Sequence, residues 1–302
     1  MRIALCVGLA VMLARGHQAP AGARDVAKTR EGSLVTVGDH RLYMECRGPE
    51  TTPVVIFESG GGGTSADWDD VRSQLPASLR SCAYDRAGSG RSEAGPRPRT
   101  LHQEAFELQA LLRAARVQGP YVLVGQSLGG VLVRLLTDSI PESVVGVVLV
   151  EPTHESAVLG SARYGGMARL REKAVGRPIP PPRLDSVGAS PADPEADYLA
   201  EEFALVYAAR QKVPQPLGSR PLVVLGGGKR PPPPPGITAD TWASLRAERE
   251  AQVRELAALS SNSRFVQDAA SGHSLHRDNP GLVVQSIQDV VRAAANGSRL
   301  TP

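Results

Sequence analysis

The chain has 302 residues, of which 41% are hydrophobic, 22% charged and 4% aromatic, with 31 Gly, 25 Pro, 3 Cys and a formal net charge of +3. Its apolar content excludes intrinsic disorder, and glycine without a triplet repeat excludes collagen. The 34 basic and 31 acidic residues nearly cancel and are interspersed, which leaves no electrostatic footprint for nucleic acid.

The amino end carries Arg2, an apolar run over residues 3–14, Arg15, and then small residues that include Ala21, Gly22 and Ala23. That is the layout of a secretory signal peptide, here over residues 1–23, followed by a single domain over 24–302. The apolar run is shorter than the roughly 20 residues needed to cross a bilayer, and no second long run follows. The mature chain is therefore expected to be exported, periplasmic or secreted, with no integral membrane span. Cleavage would remove Cys6 and leave Cys46 and Cys82. Two cysteines in an exported protein suggest one disulfide, with a pair of buried free thiols as the alternative.

Residues 33–46 alternate apolar and polar side chains and break at Gly38-Asp39, a hairpin signature. Residues 53–57 form a short continuous apolar run before a glycine cluster and read as a buried strand. A helical segment follows at 68–75, then a strand at 81–84 that ends in the turn 85–92. Leu101, Ala105, Leu108, Leu111 and Leu112 share one face of a helix over 101–116. Strands are next expected at 121–124 and 144–150, separated by a helix over 128–139 that Pro141 stops. Alternation of buried strands with helices implies parallel pairing, with helices on both faces of the sheet. Residues 153–218 break this pattern with Pro178 and Pro180 to Pro182 among their prolines and an amphipathic stretch at 198–210, and read as a helical lid insertion. The pattern resumes with a strand at 222–225, a helix over 240–259, a strand at 264–267 and a helix over 282–295. The proline run 231–235 reads as a stiff surface loop rather than a ligand for a proline-recognising module.

Gly125-Gln126-Ser127-Leu128-Gly129 is a Gly-x-Ser-x-Gly set directly after an apolar strand and directly before an amphipathic helix. A serine in that sharp strand-to-helix turn is held above the sheet, with a helix amino end beneath it to favour developing negative charge. Its hydroxyl needs a base to take its proton. In this strand-turn-helix setting the partners follow in the order serine, acid, histidine, which leaves His154, His273 and His276. His273 follows the strand at 264–267 through a loop ending in Gly272 and is the best placed. His276 reads as a surface residue or one at a helix start, and His154 as a solvated loop histidine. The acid must stand at a strand end to orient the imidazole. Glu151 does so directly after 144–150, with Asp240 as the alternative, because 226–231 hold no carboxylate; Glu155 lies further into the loop. Two backbone donors are needed for an oxyanion, and Leu128 and Gly61 of the 59–63 glycine cluster are placed to supply them. Gly88-Ser-Gly90 lacks the third glycine of a dinucleotide fingerprint, since position 93 is Glu93. No motif calls for a metal or other cofactor.

Together these residues resemble the α/β-hydrolase superfamily over about 33–295: Glu58 to Gly63 with Trp68, Tyr84 to Gly90, Gly125 to Gly130, Val148 to His154, and Ser271 to His273 with Asp278 and Pro280. The resemblance implies an α/β-hydrolase fold with a mostly parallel, eight-stranded sheet. Two positions depart from the usual pattern. Ser59-Gly60 stands where His-Gly precedes the oxyanion residue, and the acid position after the penultimate strand is empty, as in members whose acid follows the strand before it. In this superfamily the strand ending near Cys46 runs antiparallel to the one beginning near Ser81, so the resemblance implies that Cys46 and Cys82 lie at the same end of the sheet. The reaction implied is hydrolysis of a small-molecule carboxylic ester through an acyl-enzyme. Amidase, aminopeptidase and lactonase chemistry would use the same triad, and a non-catalytic binding protein on this scaffold is the remaining alternative. Dehalogenase and epoxide hydrolase readings are disfavoured because Ser127 stands where those enzymes place a carboxylate.

Overall fold

The central strands are rich in Val, Leu, Ile and Phe, and successive side chains of such a run point to opposite faces of a sheet. A computed structural model describes residues 32–159, 198–229, 232–233, 236 and 238–301. Its strands are β1 (Ser33–Val37), β2 (His40–Arg47), β3 (Val54–Glu58), β4 (Ser81–Tyr84), β5 (Tyr121–Gln126), β6 (Val144–Val150), β7 (Leu222–Gly227) and β8 (Ser263–Asp268). They form one sheet in the order β1-β2-β4-β3-β5-β6-β7-β8. The β1–β2 and β2–β4 pairs are antiparallel and all other pairs are parallel.

The helices are α1 (Asp69–Gln74), α2 (Leu101–Ala114), α3 (Gly129–Ser139), α4 (Glu155–Leu159), α5 (Leu199–Lys212), α6 (Ala239–Glu255), α7 (Leu275–Asp278) and α8 (Pro280–Asn296). Alternation along the strands feeds two cores. Ile56, Leu123, Leu149 and Val224 pack with Leu108 and Leu111 of α2, Val133 and Leu136 of α3 and Val253 of α6. Phe57, Val124, Val150 and Leu225 point the other way, toward Trp68, Val71 of α1, Leu275 of α7 and Val283 and Ile287 of α8. The expected strands and helices are thus found, with one local change. The helix starting near 240 ends at Glu255 and continues as a 3₁₀ turn, Leu256–Leu259. A 3₁₀ turn superposes residues three apart, and that brings buried Leu256 and Leu259 onto the same core.

The described parts of the excursion between β6 and β7 are α4 and α5, and both are fastened to the body. Phe203 and Val206 of α5 pack with Leu101, Ala105, Leu132 and Leu135. Glu202 accepts from the Leu101 amide at the start of α2 and contacts His102 Nδ1 at 2.9 Å. Glu155, fully buried, is paired with Arg134 of α3 at 2.5 Å and with Arg210 of α5 at 3.5 Å. The centre of the expected lid and the expected signal peptide lie outside the described residues. Among the described residues no helix is long and apolar enough to cross a membrane.

Cys46 and Cys82 are register partners across the β2–β4 pair, with Cα atoms 4.1 Å apart and sulfurs bonded at 2.06 Å. They are a cross-strand disulfide rather than free thiols. The bridge closes a loop of sequence separation 36, and the entropy it removes from the unfolded chain corresponds to roughly 2–4 kcal/mol. Dithiothreitol is therefore expected to lower the melting temperature of the parent by several degrees and to leave that of a Cys46→Ala/Cys82→Ala variant unmoved. Equal sensitivity of the two proteins would contradict this contribution.

Candidate active site

Ser127 sits between β5 and α3 with φ +51°, in the left-handed region. Such a backbone is unfavourable for a side-chain-bearing residue and persists only where the surroundings enforce it. Here the Ser127 amide donates to Val150 O at 3.1 Å, and the Gly130 amide donates to Ser127 O at 3.0 Å. The flanking glycines are sterically required. A Cβ at Gly125 would fall against the main chain of Gly129, and one at Gly129 would fall against the main chain of Glu58 and Ser59. The Gly-x-Ser-x-Gly pattern is thus the sequence record of β5, α3 and the end of β3 meeting at contact distance.

Three side chains converge above this turn. His273 Nε2 lies 3.0 Å from Ser127 Oγ, and His273 Nδ1 lies 3.2 Å from Glu151 Oε2. His273 arrives on the loop after β8, and Gln126 Nε2 donates to its main-chain oxygen at 3.0 Å. Glu151 follows β6 directly and is itself left-handed, with φ +45°. Its carboxylate also accepts from the Gly227 amide at 2.5 Å and from Arg249 Nη2 at 3.0 Å. Burial alone would push this carboxyl up. The hydrogen bonds from His273 and Gly227 and the Arg249 guanidinium overcome burial and hold it below the ordinary glutamate range.

The vacant acid position at the end of β7 acquires a purpose in this arrangement. A Cβ at Gly227 would lie 2.5 Å from Gly272 O, so only glycine lets the histidine loop approach closely enough for the Gly227 amide to serve Glu151. Asp240, the alternative acid, is exposed in the first turn of α6, and no contact joins it to His273. Gly61 and Leu128 are neighbours, a Cβ at Gly61 falling 3.8 Å from Leu128 Cδ2. Among the described residues neither amide has an acceptor. Two unpaired N–H groups beside a helix amino end are what an oxyanion would use.

Two histidines differ from the sequence reading. His276 stands at the start of α7, as one of its two readings expected, but is buried rather than at the surface, its ring 5.0 Å from that of Trp68, and burial, with help from Arg277, pushes it down to about 4. His154 is also buried rather than solvated, with Nε2 2.9 Å from Arg210 Nη2. Both are packing partners fixed by helices distant in sequence. Arg249 and Thr153 were not singled out from the sequence. Arg249 reaches Glu151 across 98 residues, for which no local pattern exists. Thr153 Oγ1 lies 3.3 Å from Ser127 Oγ, two positions after the acid. A cavity of about 330 Å³ opens on the acid side of the imidazole, walled by Trp242, Val253, Phe265, Lys229, Arg246 and Arg249. Ser127 is not among its walls, so this cavity is not the space above the serine hydroxyl.

Comparison with known proteins agrees with this geometry at the level of fold. The chain is 28% identical over 261 residues to the uncharacterized protein YqjL of Bacillus subtilis (strain 168), covering 86% of this chain and 91% of that one. Its structure resembles that of a thermophilic esterase from Thermogutta terrifontis, with TM-score 0.58 and 21% identity over 87% of this chain and 99% of that one. It also resembles the enol-lactonase from Burkholderia xenovorans LB400, with TM-score 0.56 and 20% identity over 86% and 100% of the respective chains. Residues 55–286 match the model of the alpha/beta hydrolase family, and the chain belongs to that family.

Proposed function

We propose that the protein is a serine hydrolase that cleaves small-molecule carboxylic esters through an acyl-enzyme on Ser127. The observation that carries this reading is the line from Ser127 Oγ to His273 Nε2 at 3.0 Å and from His273 Nδ1 to Glu151 Oε2 at 3.2 Å. His273 takes the hydroxyl proton as Ser127 attacks the ester carbonyl, then gives it to the departing alcohol. In the second half-reaction it takes a proton from water and returns it to Ser127. Glu151 fixes the ring so that Nδ1–H points at its carboxylate, and stabilises the imidazolium. The Gly61 and Leu128 amides receive the oxyanion. Lactones are internal esters and fall within the same chemistry, whereas amides ask more of the general acid because an amine leaves less readily than an alcohol. The leader layout and the Cys46–Cys82 bridge support an exported protein. The fastened helices α4 and α5 support reading the insertion over 153–218 as a lid.

A fluorophosphonate probe is expected to label the parent at Ser127 and to leave Ser127→Ala unlabelled. An adduct that persists in the folded variant, or is absent from the folded parent, would remove Ser127 as the nucleophile. Replacing Glu151 by Gln is expected to lower kcat by about 10³- to 10⁴-fold, the scale seen when a triad acid is neutralised, whereas Asp240→Asn should change it less than about twofold. The reverse order would transfer the acid role to Asp240.

Arg249 provides a test of the electrostatics. Its guanidinium favours the carboxylate form of Glu151, so removing that charge in Arg249→Gln raises the carboxyl pKa. The acid limb of kcat/KM against pH is then expected to move to higher pH, with the melting temperature little changed. No shift would mean that Arg249 does not influence the triad, and a shift to lower pH would mean that it does not act by favouring the Glu151 carboxylate.

A further inference from the structure

We infer that Thr153 is a catalytic residue of this site, donating a hydrogen bond to Ser127 Oγ while that oxygen is expelled from the acyl group in deacylation. The inference rests on the acyl-enzyme reading above. Thr153 Oγ1 lies 3.3 Å from Ser127 Oγ, and among the described residues the hydroxyl has no other partner. Its position is built rather than incidental. The left-handed turn at Glu151 folds the chain back after β6, and the Thr153 amide donates to Ser127 O at 3.0 Å. Thr153 and Ser127 are thereby joined through the main chain, and a β-branched side chain has few rotamers with which to leave.

The direction of the bond follows from the other contact of Ser127. His273 Nδ1 lies 3.2 Å from both the Glu151 carboxylate and Arg249 Nη2; the ionised carboxylate calls for the ring proton on Nδ1, so Nε2 accepts from the serine hydroxyl, which leaves the Oγ lone pairs as acceptors and Thr153 as the donor. At 3.3 Å the contact is longer than the roughly 2.5–3.0 Å of a full O–H···O bond. A neutral serine oxygen accepts weakly; an oxygen gaining negative charge accepts strongly and draws the donor in. The interaction therefore strengthens when Oγ becomes alkoxide-like, which is the condition for lowering a barrier. In deacylation, water attacks the acyl carbon and its proton passes to His273 Nε2. The carbon–Oγ bond then breaks with its electron pair going to Oγ, which takes the proton from His273. Thr153 keeps its own proton and stabilises the charge on Oγ as that bond breaks. In acylation the same oxygen gives an electron pair to the ester carbon, so a donor to Oγ helps that step much less. The turn that supplies the acid thus supplies the leaving-oxygen donor as well.

The test uses p-nitrophenyl butyrate with the parent, Thr153→Val, which keeps the shape and removes the hydroxyl, and Thr153→Ser, which keeps the hydroxyl. In Thr153→Val, kcat is expected to fall about tenfold or more, the scale of a hydrogen bond to a charged group. KM should fall with it, so that kcat/KM stays within about threefold. Stopped-flow traces should show a burst of p-nitrophenolate, and mass spectrometry of the quenched protein a butyryl group on Ser127. Thr153→Ser should behave as the parent. Should valine disturb the fold, Thr153→Ala removes the same hydroxyl and carries the same expectation. An acyl-enzyme that decays at the parent rate, or equal losses in kcat and kcat/KM without accumulation, would overturn the role of Thr153. Absence of any Ser127 adduct in quenched parent and variants alike would overturn the acyl-enzyme reading itself, and this inference with it.

Discussion

The Ser127 amide donates to Val150 O, the Glu151 amide to Leu225 O and the Thr153 amide to Ser127 O, which laces together the carboxyl ends of β5, β6 and β7. Two of these residues, Ser127 and Glu151, are held in the left-handed region at the ends of adjacent strands. Each conformation is costly by itself, on the order of 1 kcal/mol or more, and each is held by hydrogen bonds to the neighbouring strand. The turns that present the hydroxyl and the carboxylate are consequently one unit. Moving either strand end by a residue would separate Ser127 from the imidazole and Glu151 from the amide of Gly227.

That unit depends on the sheet beneath it. Apolar side chains over most of β3, β5, β6 and β7 alternate between the two cores, so the register of these strands is strongly specified. The main-chain groups that continue beyond the last paired residues emerge at fixed heights and meet the elbow. On one side α2, α3 and α6 cover the sheet, and on the other α1, α7 and α8 do so. The helix that starts beneath Ser127 is buried along most of its length, which fixes its amino end against the Ser127 turn. The buried pairing of Glu155 with Arg134 and Arg210 ties the excursion to this same helix.

The acid placement shows how one substitution of position propagates. With glycine at the end of β7, the histidine loop packs against the main chain there, and the Gly227 amide becomes a donor to Glu151. Glu151 then holds three donors, from Gly227, Arg249 and His273, and remains ionised despite being buried. A carboxylate in this environment needs such partners, because burial without them would favour its neutral form. Arg249 is the most remote contributor in sequence, and it completes the set from α6.

Much of this was legible from local pattern. Continuous apolar runs identified the parallel strands, 3.6-residue spacing identified α2, and the Gly-x-Ser-x-Gly between a strand and a helix located Ser127. Chain order and the absence of carboxylates after 222–225 singled out His273 and Glu151, the pair that the fold brings to Ser127. What the sequence by itself determined is therefore whatever is encoded in short-range spacing: strand, turn, helix and the residues at their ends. Tertiary structure alone decided the partners of those ends. The burial of His154 and His276, the reach of Arg249 to Glu151, the support of His273 by Gln126 and the approach of Thr153 to Ser127 all depend on where separate elements meet. Hydrogen bonds and ion pairs act over a few ångströms of space, and space between distant segments is set by packing, which no local window of sequence contains.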